Sequence, residues 1–174
     1  MTTVDPTGRV NLAPFRFPNV FGASPPVVVF SPTTRRDGSK KDTLRNVEAT
    51  GEFVVNAAVE GPAAEVNLSS KEVGFEESEV VLTGLTTRPS DLVRPPRPAE
   101  PPAALESRLV QVLPIGSGGL AATLLVGEVV ANHVDDSVLG PDGRVDPARL
   151  RPIGRLGGDD SCRSTEIFRL ERPR

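Results

Sequence analysis

The chain has 174 residues, with 20 Lys and Arg against 23 Asp and Glu, a net charge of −3 at pH 7. That balance gives no whole-chain reason to bind nucleic acid or an anionic membrane surface. No apolar run approaches the length of a membrane span, and the single cysteine, Cys162, excludes an intrachain disulfide framework. One cytoplasmic domain over residues 1–174 is the expectation, because Met1 to Pro6 lacks the basic flank and apolar stretch of a signal peptide.

Taken in chain order, residues 4–30 read as two extended segments. Asp5-Pro6-Thr7-Gly8 has turn chemistry, Pro25-Pro26 blocks a helix, and Val27 to Phe30 is a β-branched run suited to a buried strand. Residues 31–41 form a polar, basic loop. A helix is predicted over 43–50, with Asp42 as N-cap, Leu44 and Val47 on one face and Gly51 at its end. Phe53 to Asn56 reads as a strand. Pro62 opens a short helix through Asn67, and residues 73–85 hold a weak helical pattern ending near Gly84.

Residues 88–102 contain six prolines and read as an extended surface connector. Leu105–Leu113 and Leu120–Val134 are two long strands joined across Gly116-Ser117-Gly118-Gly119, a hairpin signal. In the second strand Ala122, Leu124, Val126, Val130 and Val134 share the even face. Asp142-Gly143 marks a turn, Pro147–Leu150 a helical turn, and Ser164–Leu170 a last strand. The helices are too few for parallel crossovers, so the expected class is mainly β with short helices, largely antiparallel, closed or partly closed into a barrel.

Arg35, Arg36, Lys40 and Lys41 crowd a loop that runs into a helix N-terminus, where unpaired N–H groups favour anions. With the hydroxyls of Ser31 and Thr43 this is either a phosphate-sized patch or a solvated basic loop. The glycines at 116–119 lack the spacing of a dinucleotide fingerprint. His133 is the only histidine, which excludes a multi-histidine metal centre, and no G-x-S-x-G pattern accompanies it. With Trp and Tyr absent, any ring stacking on a planar ligand falls to Phe.

Asn11 to Asn19, Pro25 to Ser31, Lys41-Asp42-Thr43-Leu44-Arg45-Asn46 and Gly51 to Asn56 resemble the flavin reductase-like family. So do Gly84-Leu85-Thr86, Leu105 to Leu109, Gly127 to Val130 with His133 to Asp136, and Ile153 to Gly158, in the same order. The resemblance implies an FMN-binding split β-barrel, a homodimer, and hydride transfer from NADH or NADPH to the flavin, with a downstream monooxygenase or other electron acceptor as partner. The cofactor carries that chemistry while the protein positions it. The resemblance places the flavin phosphate against Ser31, Lys41 and Thr43, with Arg35 or Arg36 assisting. The ring then lies near Phe15, Phe17, Asn19 and Val20, with Asn56 as polar neighbour and Asn67 contributing from the second helix. His133, as the catalytic candidate, and Arg155 fall on the nicotinamide or substrate side; no metal is implied.

The chain departs from the family twice. A further strand usually precedes the point where this chain begins, and an aromatic residue usually follows the glycines at 157–158, where Asp159-Asp160-Ser161 stands here. The second departure leaves open another function: a barrel that binds FMN or a phosphorylated ligand without nicotinamide turnover, as a carrier or biosynthetic accessory.

Overall fold

The structure is a computed structural model that describes residues 1–74, 77–164, 166–171 and 173. Four short strands open the chain: β1 (Thr2–Val4), β2 (Val10–Leu12), β3 (Asn19–Phe21) and β4 (Val27–Phe30). They replace the two extended segments expected there. Turn residues divide them: the Asp5 carboxylate accepts from the Thr7 and Arg9 amides, folding β1 back on β2.

Helix α1 (Asp42–Thr50) and strand β5 (Glu52–Asn56) follow, then α2 (Ala63–Leu68) and α3 (Glu79–Thr83). α3 is the described part of the weak 73–85 pattern; Phe75 and Glu76 lie outside the described residues. Gly51 ends α1 in the left-handed conformation, φ 71°, donating to the Val47 carbonyl. The N-terminus of α1 differs from expectation. Lys41 occupies the N-cap position without a side-chain cap, and Asp42 is the first helical residue. The Asp42 carboxylate instead accepts from Arg35 at 2.8 Å and Arg45 at 3.1 Å, so two guanidiniums take one oxygen each of the group expected to cap the helix.

The proline-rich connector is more structured than an extended surface segment. It holds a two-stranded ladder, β6 (Thr87–Arg88) with β7 (Arg97–Pro98), and buries Val93, Pro95 and Pro98. Beyond it the long hairpin β8 (Ala103–Ile115) and β9 (Ala122–Val134) pairs from Ala103↔Val134 to Ile115↔Ala122. Register shifts at Glu106/Ser107 and Leu109/Gln111 bend it. A 3₁₀ turn (Asp136–Val138), α4 (Pro147–Leu150) and a small ladder of β10 (Ile153–Arg155) with β11 (Ser161–Arg163) complete the chain. The last strand is therefore Ser161–Arg163 rather than Ser164–Leu170. Its register is fixed by Gly154↔Cys162, and no strand occurs among the described residues of 164–170.

The seven main strands form one antiparallel sheet in the order β2-β1-β5-β8-β9-β4-β3. Its core joins Val28, Phe30, Leu44, Val47, Phe53 and Leu125. Phe30 is the hub: the Phe15 and Phe53 rings each lie 5.1 Å from it, edge-on and tilted. Each fully buried side chain of this kind contributes about 2 kcal/mol by leaving water. On β9 the main core receives Leu125 and Val129, whereas Val130 of the even-numbered face packs in a second cluster with Val54, Val93 and Ala104. Both faces of β9 are used because the connector covers the second one through Val93.

Candidate functional site

A cavity of about 610 Å³ opens where α2, β2, β5 and the β10–β11 ladder meet, within the size range of small-molecule sites. Its apolar wall includes Leu12, Phe15, Val55 and Val66. Ala63, Val66 and Asn67 line it from α2 at the i, i+3, i+4 spacing of one helix face. That spacing is readable in the sequence, although only Asn67 carries a polar signal there.

Three polar side chains converge on this space. Asn56, at the end of β5, has a buried Oδ1 with no hydrogen-bond partner, while its Nδ2 reaches Thr2 Oγ1 at 3.5 Å. A buried acceptor left unpaired costs free energy, and a ligand N–H would satisfy it. Arg155 Nη1 donates to Asn67 Oδ1 at 3.4 Å and Nη2 to the Gly158 carbonyl at 2.7 Å, with Asp159 at 3.9 Å. Arg155 thereby ties α2 to the tip of the β10–β11 ladder. Arg16 brings a second cation to the lining.

Of the residues singled out in the sequence, Phe15, Asn56, Asn67 and Arg155 line the cavity. Phe17 and Val20 are exposed, the former 81%, and Asn19 is turned to its own strand, accepting from the Val20 amide. None of these three lines the cavity. Arg35, Lys41 and Thr43 lie at the start of α1, where Arg35 bonds to Asp42, and Ser31 directly follows β4; none of the four lines the cavity. The loop before α1 is stapled to the β8–β9 hairpin: Thr34 Oγ1 donates to the Gly118 carbonyl and the Thr34 amide to Ala121. Arg35 is spent on Asp42 and Lys40 on Glu48, whereas Arg36 and Lys41 have no ion pair among the described residues. Thr43 is buried, its hydroxyl accepting from Asn11 Nδ2 at 3.0 Å. Asn11 belongs to β2, whose next residue, Leu12, lines the cavity, so one strand links the two regions.

His133 lies elsewhere. Its Nε2 is 2.6 Å from Oε1 of Glu106, a fully buried carboxylate that also accepts from the amides of Asp91 and Leu92 at 2.8 and 2.7 Å. Burial pushes the Glu106 carboxyl up, but these hydrogen bonds outweigh it and the net direction is down. An ionised carboxylate only accepts, so the facing ring nitrogen carries a proton. Asp91, Glu106 and His133 group their ligand atoms within 4.8 Å, yet Arg97 Nε stands 4.0 Å from the same Oε1. A guanidinium there disfavours a cation, and the group reads as a polar knot around the buried Glu106. Glu106, which carried no expected role, is its centre.

The family model for the flavin reductase like domain matches residues 1–148. An uncharacterized protein of Halalkalibacterium halodurans is 43% identical over 175 residues, spanning 99% of this chain and 83% of its own length. The crystal structure of nitrilotriacetate monooxygenase component B from Bacillus cereus superposes with a TM-score of 0.90 at 34% identity, covering 97% of this chain and 84% of that one. That of 2-nitrobenzoate 2-nitroreductase from Pseudomonas fluorescens gives 0.85 at 29% identity, covering 99% and 82%. A split-barrel-domain protein from Shewanella frigidimarina superposes at 0.86 with 23% identity over 99% and 83%, a likeness of fold.

Proposed function

We propose that this chain, which belongs to the flavin reductase-like family, is an FMN-dependent oxidoreductase that takes hydride from NADH or NADPH. The observation that carries the reading is a cavity large enough for a planar heterocycle, one of whose lining residues, Asn56, has a buried Oδ1 with no hydrogen-bond partner among the described residues. Phe15 supplies an aromatic wall, Asn56 accepts from a ring N–H, and Arg155 sets a positive charge at the opposite rim. The residues fit a flavin. Bound flavin would supply the two-electron chemistry, and the side chains around it need only position it and limit water.

The phosphate is assigned to the loop before α1. Lys41 and Arg36 are its free cations, and a nine-residue helix presents its first amides there. Thr43 acts as a positioning residue, fastening β2 to that turn through Asn11. A homodimer, and delivery of reduced flavin to a partner oxygenase, complete the proposal; the likeness to a monooxygenase component supports the latter.

The test is an absorbance spectrum of the purified protein with added FMN, then with NADH. Oxidised flavin absorbs in the visible, where neither the side chains of this chain nor NADH absorb. Saturable FMN binding followed by bleaching supports the reading; protein that takes up no FMN at micromolar concentration sinks it. A second reading, FMN binding without nicotinamide turnover, is favoured by the cavity mouth, where Asp159 and Ser161 stand and no aromatic side chain covers the opening between residues 156 and 162. Stoichiometric FMN that NADH leaves oxidised would establish it.

A further inference from the structure

A second cavity, of about 270 Å³, lies on the other side of the connector and shares the Pro98 and Pro101 wall with the larger one. Its polar lining is Arg88, Arg97, Asn132, His133 and Asp135. Arg88 and Arg97 are directly opposed partners in the β6–β7 ladder. Like charges in that relation repel unless something between them is negative.

The neighbouring carboxylates fill that role only in part, since neither hydrogen-bonds to a guanidinium. Glu106 approaches Arg97 Nε only to 4.0 Å, because its oxygens are occupied by the Asp91 and Leu92 amides and by His133. Arg97 Nη2 donates to the Pro89 carbonyl at 3.2 Å, while its Nε is buried with no hydrogen-bond partner. Arg88 forms no salt bridge among the described residues, although Asp135, whose pKa is lowered first by the Ser137 amide donating to its Oδ1, is lowered further by the Arg88 charge. Two guanidiniums thus border one small cavity, and one of them holds a buried donor in reserve.

The geometry points to this cavity as a binding site for a phosphate group. Guanidinium forks match phosphate oxygens in pairs, and the Asn132 amide at the rim adds a neutral donor. The phosphate is either a free anion or the phosphate of a nucleotide whose remainder reaches across the shared proline wall. The site does not depend on the flavin reading, since none of its charged residues borders the larger cavity.

The test is a titration of the purified protein with inorganic phosphate, and separately with adenosine diphosphate, on wild type and Arg88→Gln. Arg88 is exposed, so the variant keeps its fold, which a thermal melt verifies. Saturation by inorganic phosphate that Arg88→Gln weakens roughly tenfold, the loss of one charge-assisted hydrogen bond, supports a free-anion site. Diphosphate binding weakened by the same change, without saturation by inorganic phosphate, supports a nucleotide-borne phosphate. No binding of either probe, or equal binding by both proteins, overturns the site. FMN uptake by Arg88→Gln, read by absorbance, stays at the wild-type level and keeps this result distinct from failure of the flavin reading.

Discussion

His133 Nε2 lies 2.6 Å from Glu106 Oε1, and that pairing holds the chain's only histidine away from the larger cavity. The pair anchors the connector: the other Glu106 contacts are the amides of Asp91 and Leu92, so one buried carboxylate fastens β8, β9 and the proline-rich segment.

Glu106→Gln removes the charge while its amide N–H₂ faces amide donors. The expected cost is about 3 kcal/mol, and a chain of this size then melts about 6–12 °C lower. The pH dependence has a definite sign. Glu106 has a lowered folded pKa, so its stabilisation is present above the usual carboxyl range and is lost as pH falls through the folded value. Wild type and variant should differ in melting temperature at pH 7 and converge in acid. A gap that persists unchanged into acid would contradict this.

Glu79 has the opposite sign. It sits on α3, buried, accepting from the Leu12 amide at 3.1 Å, and burial raises its pKa, with the charge of Asp42 adding to the rise. Its ionisation therefore opposes folding as pH rises from the usual carboxyl range through the raised value. Glu79→Gln keeps an acceptor for Leu12 without the charge. Its melting temperature should exceed that of wild type at pH 7 by about 2 °C or more and match it near pH 4. A variant less stable than wild type at pH 7 rules the account out.

Much of this architecture was legible because short-range chemistry decides it. Gly51 in the left-handed conformation stops α1, and the 116–119 glycines turn the hairpin. What failed was long-range. Asp42 was read as a cap because sequence does not show Arg35 folding back to claim its carboxylate. The connector was read as solvated because nothing local says that Val93 meets Val54, and the same contact put β9's second face indoors. In the cavity, Asn56, Asn67 and Arg155 are legible, while Ala63 and Val66 of the α2 face are not, since one small alanine and one valine carry little signal until β5 stands opposite.

Gly127 on β9 is required by the ring of Phe53. A methyl group added there would lie 2.7 Å from Phe53 Cε1 and overlap Cζ more closely still. Phe53 is fully buried against Phe30, so the ring has nowhere to swing. Gly127→Ala should cost about 2 kcal/mol or more through overpacking, although alanine suits a strand better than glycine. Urea unfolding measures it; a midpoint at or above wild type would show that the core yields at this point.

The last prediction separates the two polar groups of the larger cavity. Asn56→Leu removes the unpaired acceptor, and a ring N–H then enters an apolar wall with no partner. FMN affinity should fall roughly tenfold while the fold is kept, because the lost Nδ2 contact to Thr2 is long, 3.5 Å. Arg155→Gln acts differently. It frees the β10–β11 ladder from α2 by removing the bond to Asn67, and loosens the ladder's own turn by removing the bond to Gly158, so it loosens the cavity mouth and removes a charge together. Its effect should be larger on the nicotinamide KM than on FMN affinity, since the charge lies at the rim. Equal loss of FMN binding in both variants would place Arg155 against the flavin itself, and no loss in Asn56→Leu would move the ring out of this cavity.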